Sequence, residues 1–249
     1  MNLEKLILTG LMTALITVTT IVIPIPIPFT NGYVHPGDSM VFMAVLLLGR
    51  RSGALAAGFG SAFADVVLGF FIWAPFTFVI KSVMAFIVGL VIEKCAEKHR
   101  NIVIACISAP VLWLLFNAAA IRITNDLARN NAANSITAIE TNSMWGALLL
   151  PVLLILVAVV LRKKEHIFIP PAHIIGMTGG GIFMVFGYYI AEGLIYGNFM
   201  AAVLGIPANI AQFTVGFLIA ALLSGALQNT SAKRYFTYGA KKADAGKVL

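Results

Sequence analysis

GDSMVFMAVLLLGRRSGALAAGFGSAFADVVLGFFIWAPFTFVIKSVMAFIVGLVIEK, residues 37–94, is three apolar runs (38–50, 52–71 and 76–93) with almost no polar relief. Arg50 and Arg51 break the first from the second, a short apolar turn at 72–75 breaks the second from the third, and Lys94 closes the stretch. A helix needs about 20 apolar residues to cross the hydrocarbon of a bilayer, and this stretch offers such runs back to back. The run 38–50 is short for a full crossing, so it must borrow residues from the preceding loop or end early.

The same pattern continues on both sides. Apolar segments at 5–24, 101–121, 144–161, 173–196 and 207–228 join the three above, giving eight predicted crossings in one membrane domain spanning 1–249. Composition agrees: 60% of the 249 residues are hydrophobic and 11% charged, with mean hydropathy +0.95. Soluble domains are about half apolar and about a quarter charged, so lipid must be the solvent for most of this surface. The run 6–23 follows Lys5 like a signal peptide, but it leads into Pro24, Pro26 and Pro28 without a small-residue cleavage site and is read as a membrane helix.

Charge distribution orients the segments. With the N-terminus inside, the inner loops collect Lys5, Arg50, Arg51, Lys94, Lys98, Arg100, Arg162, Lys163, Lys164, Lys233, Arg234, Lys241, Lys242 and Lys247. The outer loops hold Arg122 and Arg129, and Lys81 lies inside a helix, which accounts for all 17 Lys and Arg. Cytoplasmic enrichment of Lys and Arg therefore predicts both termini inside, with 229–249 a basic cytoplasmic tail. The net charge of +7 and pI of 9.6 belong to these loops; no basic face suggests nucleic acid. Cys95 and Cys106 lack metal-ligand spacing and are expected as reduced thiols.

Ionisable residues inside membrane segments are costly and mark candidate functional sites. Asp65 and Lys81 flank the turn at Trp73 at equal sequence distance, which puts them at matching depth roughly 10 Å below the outer turn. They either form a hairpin-stapling ion pair or leave Lys81 free to meet a ligand. Glu192 and Asn209 repeat this geometry around the last outer turn; Tyr188 lies one helical turn before Glu192, and Gln212 nearly one turn beyond Asn209. The amides serve either as interhelical glue or as ligand contacts. Asp38, Lys81, Glu192, Asn209 and Gln212 all map to the outer third of the protein, as an outward-facing small-molecule site requires. A proton path would need acidic groups staged across the full thickness.

Small residues mark other surfaces. Gly10 and Ala14, extended by Thr13 and Thr17, allow close helix approach in the first segment, to another helix of this chain or to a partner. Gly53, Ala57, Gly58, Ser61 and Ala64 are read as internal packing. No nucleotide-binding or hydrolytic motif is present: GMTGGG (176–181) lacks the Gly-Lys-Ser/Thr of a P-loop, and His35, His99, His166 and His173 are scattered. The chain is not expected to be an enzyme or to carry a cofactor.

The stretch 37–94, together with GYYIAEGLIYGNFMAAVLGIPANIAQFTVGFLIAAL (187–222), resembles the substrate-binding S components of energy-coupling factor (ECF) vitamin transporters, among them the hydroxymethylpyrimidine, pantothenate and riboflavin types. The markers are Gly37-Asp38, Gly49, Ala64-Asp65, Thr77 to Lys81, Gly187-Tyr188, Ala191-Glu192, Tyr196-Gly197 and Pro207 to Gln212. The resemblance implies an all-α six-helix bundle in a bacterial plasma membrane. It implies a vitamin site near the outer surface, lined by Lys81, Glu192, Asn209, Gln212, Tyr188, Asp38 and His35 under a lid at 24–38. It also implies docking through Gly10, Thr13 and Ala14 to a scaffold subunit whose two ATPase partners consume ATP. Residues 101–161 depart from the family pattern as a two-helix insertion. A stand-alone secondary transporter or channel is the competing expectation; it would show uptake in vesicles holding this chain alone.

Overall fold

The computed structural model describes residues 3–26, 33–97, 122, 170–228 and 230–238. The predicted segments 101–121 and 144–161, the polar loop between them and the tail beyond 238 lie outside the described residues.

Among the described residues the protein is helical apart from one two-residue strand pair, and five helices are long and apolar enough to cross a bilayer. Helix α1 (Leu3–Val22) is held regular by its threonines. Thr9, Thr13, Thr17 and Thr19 each donate to the carbonyl four residues back at 2.7–3.0 Å, which satisfies their hydroxyls in an apolar setting; among the described residues the buried Thr20 hydroxyl makes no such bond. Its inner stripe, Thr9, Met12, Ile16 and Thr20, is buried, while Leu6, Ile7, Leu11, Leu15 and Val18 are exposed.

After α1, strand β1 (Ile25–Pro26) pairs antiparallel with β2 (Tyr33–Val34), Ile25 opposite Val34 and Pro26 opposite Tyr33. Helix α2 (Asp38–Val67) follows. A straight helix of its 30 residues would be about 45 Å long, well beyond the hydrocarbon thickness. It is not straight. Gly49 has φ 80° and ψ 176°, a conformation reserved for glycine, and the chain reverses there: a Cβ on Gly53 would lie 2.7 Å from Val45 Cα. The predicted segments 38–50 and 52–71 are thus two arms of a tight hairpin, 38–48 and 50–67. The short arm solves its length problem by being interior: Val41 to Leu46 are all buried, so protein rather than lipid surrounds it. Gly60 in the second arm meets Ile16 and the Thr13 carbonyl of α1, and Gly58 meets Phe78 and Ser82, so the small residues of this arm serve internal packing.

Helix α3 (Ala74–Glu97) runs antiparallel to α4 (Pro171–Tyr196): Gly176 faces Val88 and Ile92, and Gly187 faces Ile80. Proline at the start of α4 suits a first turn that has no N–H partners to lose, and Gly197 in the left-handed region ends it. A short helix α5 (Phe199–Ala202) and a 3₁₀ turn (Val203–Gly205) lead into α6 (Ile206–Gln228). Phe42, Met84, Val88, Met177, Met184 and Phe213 fill the core between the first arm of α2, α3, α4 and α6.

One end of the bundle carries Asp38, Lys81 and Gln212; the other carries the Gly49 turn. There the segment 231–238 folds back over the hairpin. Thr237 N–H donates to the Leu46 carbonyl at 3.0 Å and its hydroxyl to that of Leu47 at 2.7 Å. The Tyr238 hydroxyl accepts from Arg50 N–H at 3.0 Å and donates to Glu93 at 2.7 Å, while Arg50 pairs with Glu93 at 3.3 Å. Thr20 beside Gly37 places the end of α1 near the first of these two ends, so Leu3 and Tyr235 share the other.

Candidate substrate-binding site

The strand pair delivers Tyr33 and His35 to the end of the bundle away from the hairpin turn. His35 Nδ1 accepts from Gly37 N–H at 3.1 Å, which fixes that nitrogen as unprotonated. Burial lowers the His35 pKa to about 3, against the opposing pull of Asp38, so the ring is neutral. Tyr33 donates its hydroxyl to Asp65 Oδ1 at 2.6 Å and lies against Phe70 and His35. Burial, and then the Asp65 carboxylate, push its phenol far above the ordinary range.

Beneath the strand pair runs a buried polar chain. Asp38, the first residue of α2, forms an ion pair with Lys81 of α3, and both side chains are fully enclosed. Lys81 also reaches Met184 Sδ at 3.0 Å and lies 5.3 Å from the centre of the Tyr188 ring. Gln212 Nε2 donates to the other Asp38 oxygen at 3.0 Å, and Gln212 Oε1 accepts from His35 N–H at 3.2 Å. Five separate parts of the chain therefore meet through Asp38 and its neighbours.

Above this chain lies a small cavity of about 30 Å³, set in about 390 Å³ of empty space once its open mouth is counted. Tyr33, His35, Asp65, Trp73, Thr77, Tyr188, Glu192, Asn209 and Gln212 line it. Thr77 accepts from the Tyr188 hydroxyl at 3.3 Å, and Asn209 donates to the Gly205 carbonyl at 3.0 Å. The Glu192 carboxylate rests on Gly205, where a Cβ would collide with it. Glu192 Oε2, Asp65 Oδ2 and Trp73 Nε1 are buried and make no hydrogen bond. Such orphaned groups are costly and call for a partner. Among the described residues no group of three or more His, Cys, Asp or Glu side chains could hold a metal ion.

Of the residues singled out from the sequence, the structure puts His35, Tyr188, Glu192, Asn209 and Gln212 on the cavity wall. Lys81 and Asp38 stand behind that wall, bound to each other. The pairing of Asp65 with Lys81 is corrected: Lys81 turns toward the first arm of α2, and Asp65 is held by Tyr33. Tyr33, Trp73 and Thr77 were not singled out as wall residues. Each carried a signal, since Tyr33 lies in the loop read as a lid, Trp73 in the outer turn and Thr77 one helical turn before Lys81. On α1, Gly10 and Ala14 are exposed and Thr13 is half-buried at the packed edge.

The fold is that of a polytopic helical membrane protein with a partly polar cavity at one end of its bundle. The family model for the S component of ECF-type riboflavin transporters matches residues 1–164 and 148–229, and the chain belongs to this family. It is thereby a multi-pass membrane protein of a transporter family. The chain is also similar to a protein of Pyrococcus woesei described as an uncharacterized protein in a gap 3'region, with 47% identity over 100 residues. That match covers 40% of this chain and 66% of the relative's length.

Proposed function

We propose that this chain captures a small water-soluble vitamin or vitamin precursor from outside the cell and delivers it by reorienting on a scaffold subunit driven by two ATPases. Ligands of the hydroxymethylpyrimidine, pyridoxine, pantothenate or riboflavin type are the class in view. The observation that carries the reading is the cavity itself. Its wall is aromatic and amide-rich, it sits at one end of the bundle, and it holds three buried polar atoms without partners.

Two further features support the reading. Arg50, Arg51, Lys94, Lys233 and Arg234 cluster at the opposite end, as the cytoplasmic side of a membrane protein does. Helix α1 leaves an apolar face exposed, with Gly10 and Ala14 on it and nothing within 4 Å of a Cβ at Gly10; a scaffold helix could approach closely there.

Native mass spectrometry of the gently purified protein tests the proposal. Scaffold and ATPase chains together with a bound vitamin are the expected result. A solitary, ligand-free chain overturns it, and uptake into vesicles containing this chain alone would establish the stand-alone transporter instead.

A further inference from the structure

Resting on the reading of this cavity as the substrate site, we infer that it selects a flat aromatic ligand bearing a protonated amine, and disfavours carboxylate-bearing and uncharged ligands. The argument begins with the cations. Among the described residues Lys81 is the one Lys or Arg near the cavity, and it has no exposed surface. Its charge is taken up by Asp38, and Met184 and the Tyr188 ring occupy its remaining directions. His35 is neutral and its Nδ1 is engaged by Gly37. Among the described residues, no cation on the wall is left to meet a ligand carboxylate.

The acids present the opposite picture. Glu192 is 2% exposed, and among the described residues it has no counter-ion and its Oε2 has no donor. Asp65, 4% exposed, accepts from Tyr33 at Oδ1, and the Thr77 hydroxyl lies beside its carboxylate. A buried carboxylate stays charged only when a cation or several donors compensate it, and here the protein supplies neither at Glu192. A ligand ammonium supplies both charge and donors. The glycine at 205 is what gives the Glu192 carboxylate its room.

The rest of the wall adds shape. Trp73 and Tyr188 lie with ring centres 6.2 Å apart, and Tyr33 and His35 5.4 Å apart. Such surfaces suit a planar ring and favour a cation over their faces. Trp73 Nε1 offers one donor with no acceptor. The complementary ligand therefore has a planar ring, one acceptor for Trp73, and an amine for Glu192 with a second donor for Asp65.

Isothermal titration of the full chain in detergent at neutral pH tests this with four probes: pyridoxamine, pyridoxine, riboflavin and pantothenate. The first two differ by an ammonium in place of a hydroxyl. Pyridoxamine should bind about tenfold or more tighter than pyridoxine, the size expected of a charge-assisted hydrogen bond. Glu192→Gln should bring the two within about twofold of each other, and Asp65→Asn should narrow the gap if Glu192→Gln fails to fold. Tighter binding of riboflavin or pantothenate, equal binding of the matched pair, or binding of none of the four overturns the inference. The S-component reading is judged apart from this, because it stands or falls on co-purification of the scaffold and ATPase chains.

Discussion

Lys81 has no contact with solvent or lipid, yet it is a charge in the middle of an apolar bundle. Removing one partner of such a pair strands the other in a low-dielectric interior. Lys81→Met should therefore lower stability by about 3–5 kcal/mol, while the double change Lys81→Met with Asp38→Asn should recover most of the loss. Thermal unfolding of the three variants in detergent checks this; equal Tm values for the single and double variants would refute it. His35 makes a second, pH-dependent claim. Its folded pKa of about 3 lies below the ordinary value near 6.5. The unfolded chain thus takes up a proton in that window while the folded chain does not. Stability should be full above about pH 6.5 and fall as pH drops from there toward 3. His35→Asn keeps an acceptor for Gly37 N–H without titrating, so its Tm should fall less steeply between pH 7 and pH 4 than that of the parent.

At the scale of elements, the decisive feature is the reversal at Gly49. Its backbone lies where any side chain is strained, and a Cβ would meet Thr237 Cγ2 at 3.2 Å. Gly49→Ala should cost about 1–3 kcal/mol, read as a lower Tm, and Gly69→Ala, which also has positive φ but open space around it, should show the backbone cost without the steric one. The helices themselves were legible in the sequence because hydrocarbon thickness demands long apolar runs, and 38–50 stood out as too short. Depth was legible too, since rise per residue converts sequence distance from a turn into distance along the bundle axis. That is why Glu192, Asn209 and Gln212 were expected together. Azimuth was not legible. Asp65 and Lys81 share a depth, but the direction of each side chain depends on which helices lie beside it. Asp38, not Asp65, stands where Lys81 points, because the first arm of α2 is inserted between α3 and α6. The same blindness hid Trp73 and Thr77 as wall residues.

Across the whole molecule, binding and docking use different faces. The cavity is built by the strand pair, α2, α3, α4 and α6, whereas the exposed face of α1 takes no part in it. Gly10→Leu with Ala14→Leu should leave Tm and ligand affinity unchanged, because both positions are exposed among the described residues and a Cβ at Gly10 meets none of them within 4 Å. Co-purification with the scaffold should be lost. A drop in ligand affinity would mean that the two faces are not independent.

The fold-back of 231–238 over the Gly49 turn has a consequence for biogenesis. Arg50 and Tyr238 are 188 residues apart in sequence, and Asp38 waits across 174 residues for Gln212. The Gly49 turn therefore stays open, and Asp38 has Lys81 but not Gln212, until the final helix and the segment behind it have been synthesised. Closure of both ends of the bundle thus waits for its last helix and the segment behind it, and Lys81 is the partner that holds Asp38 meanwhile.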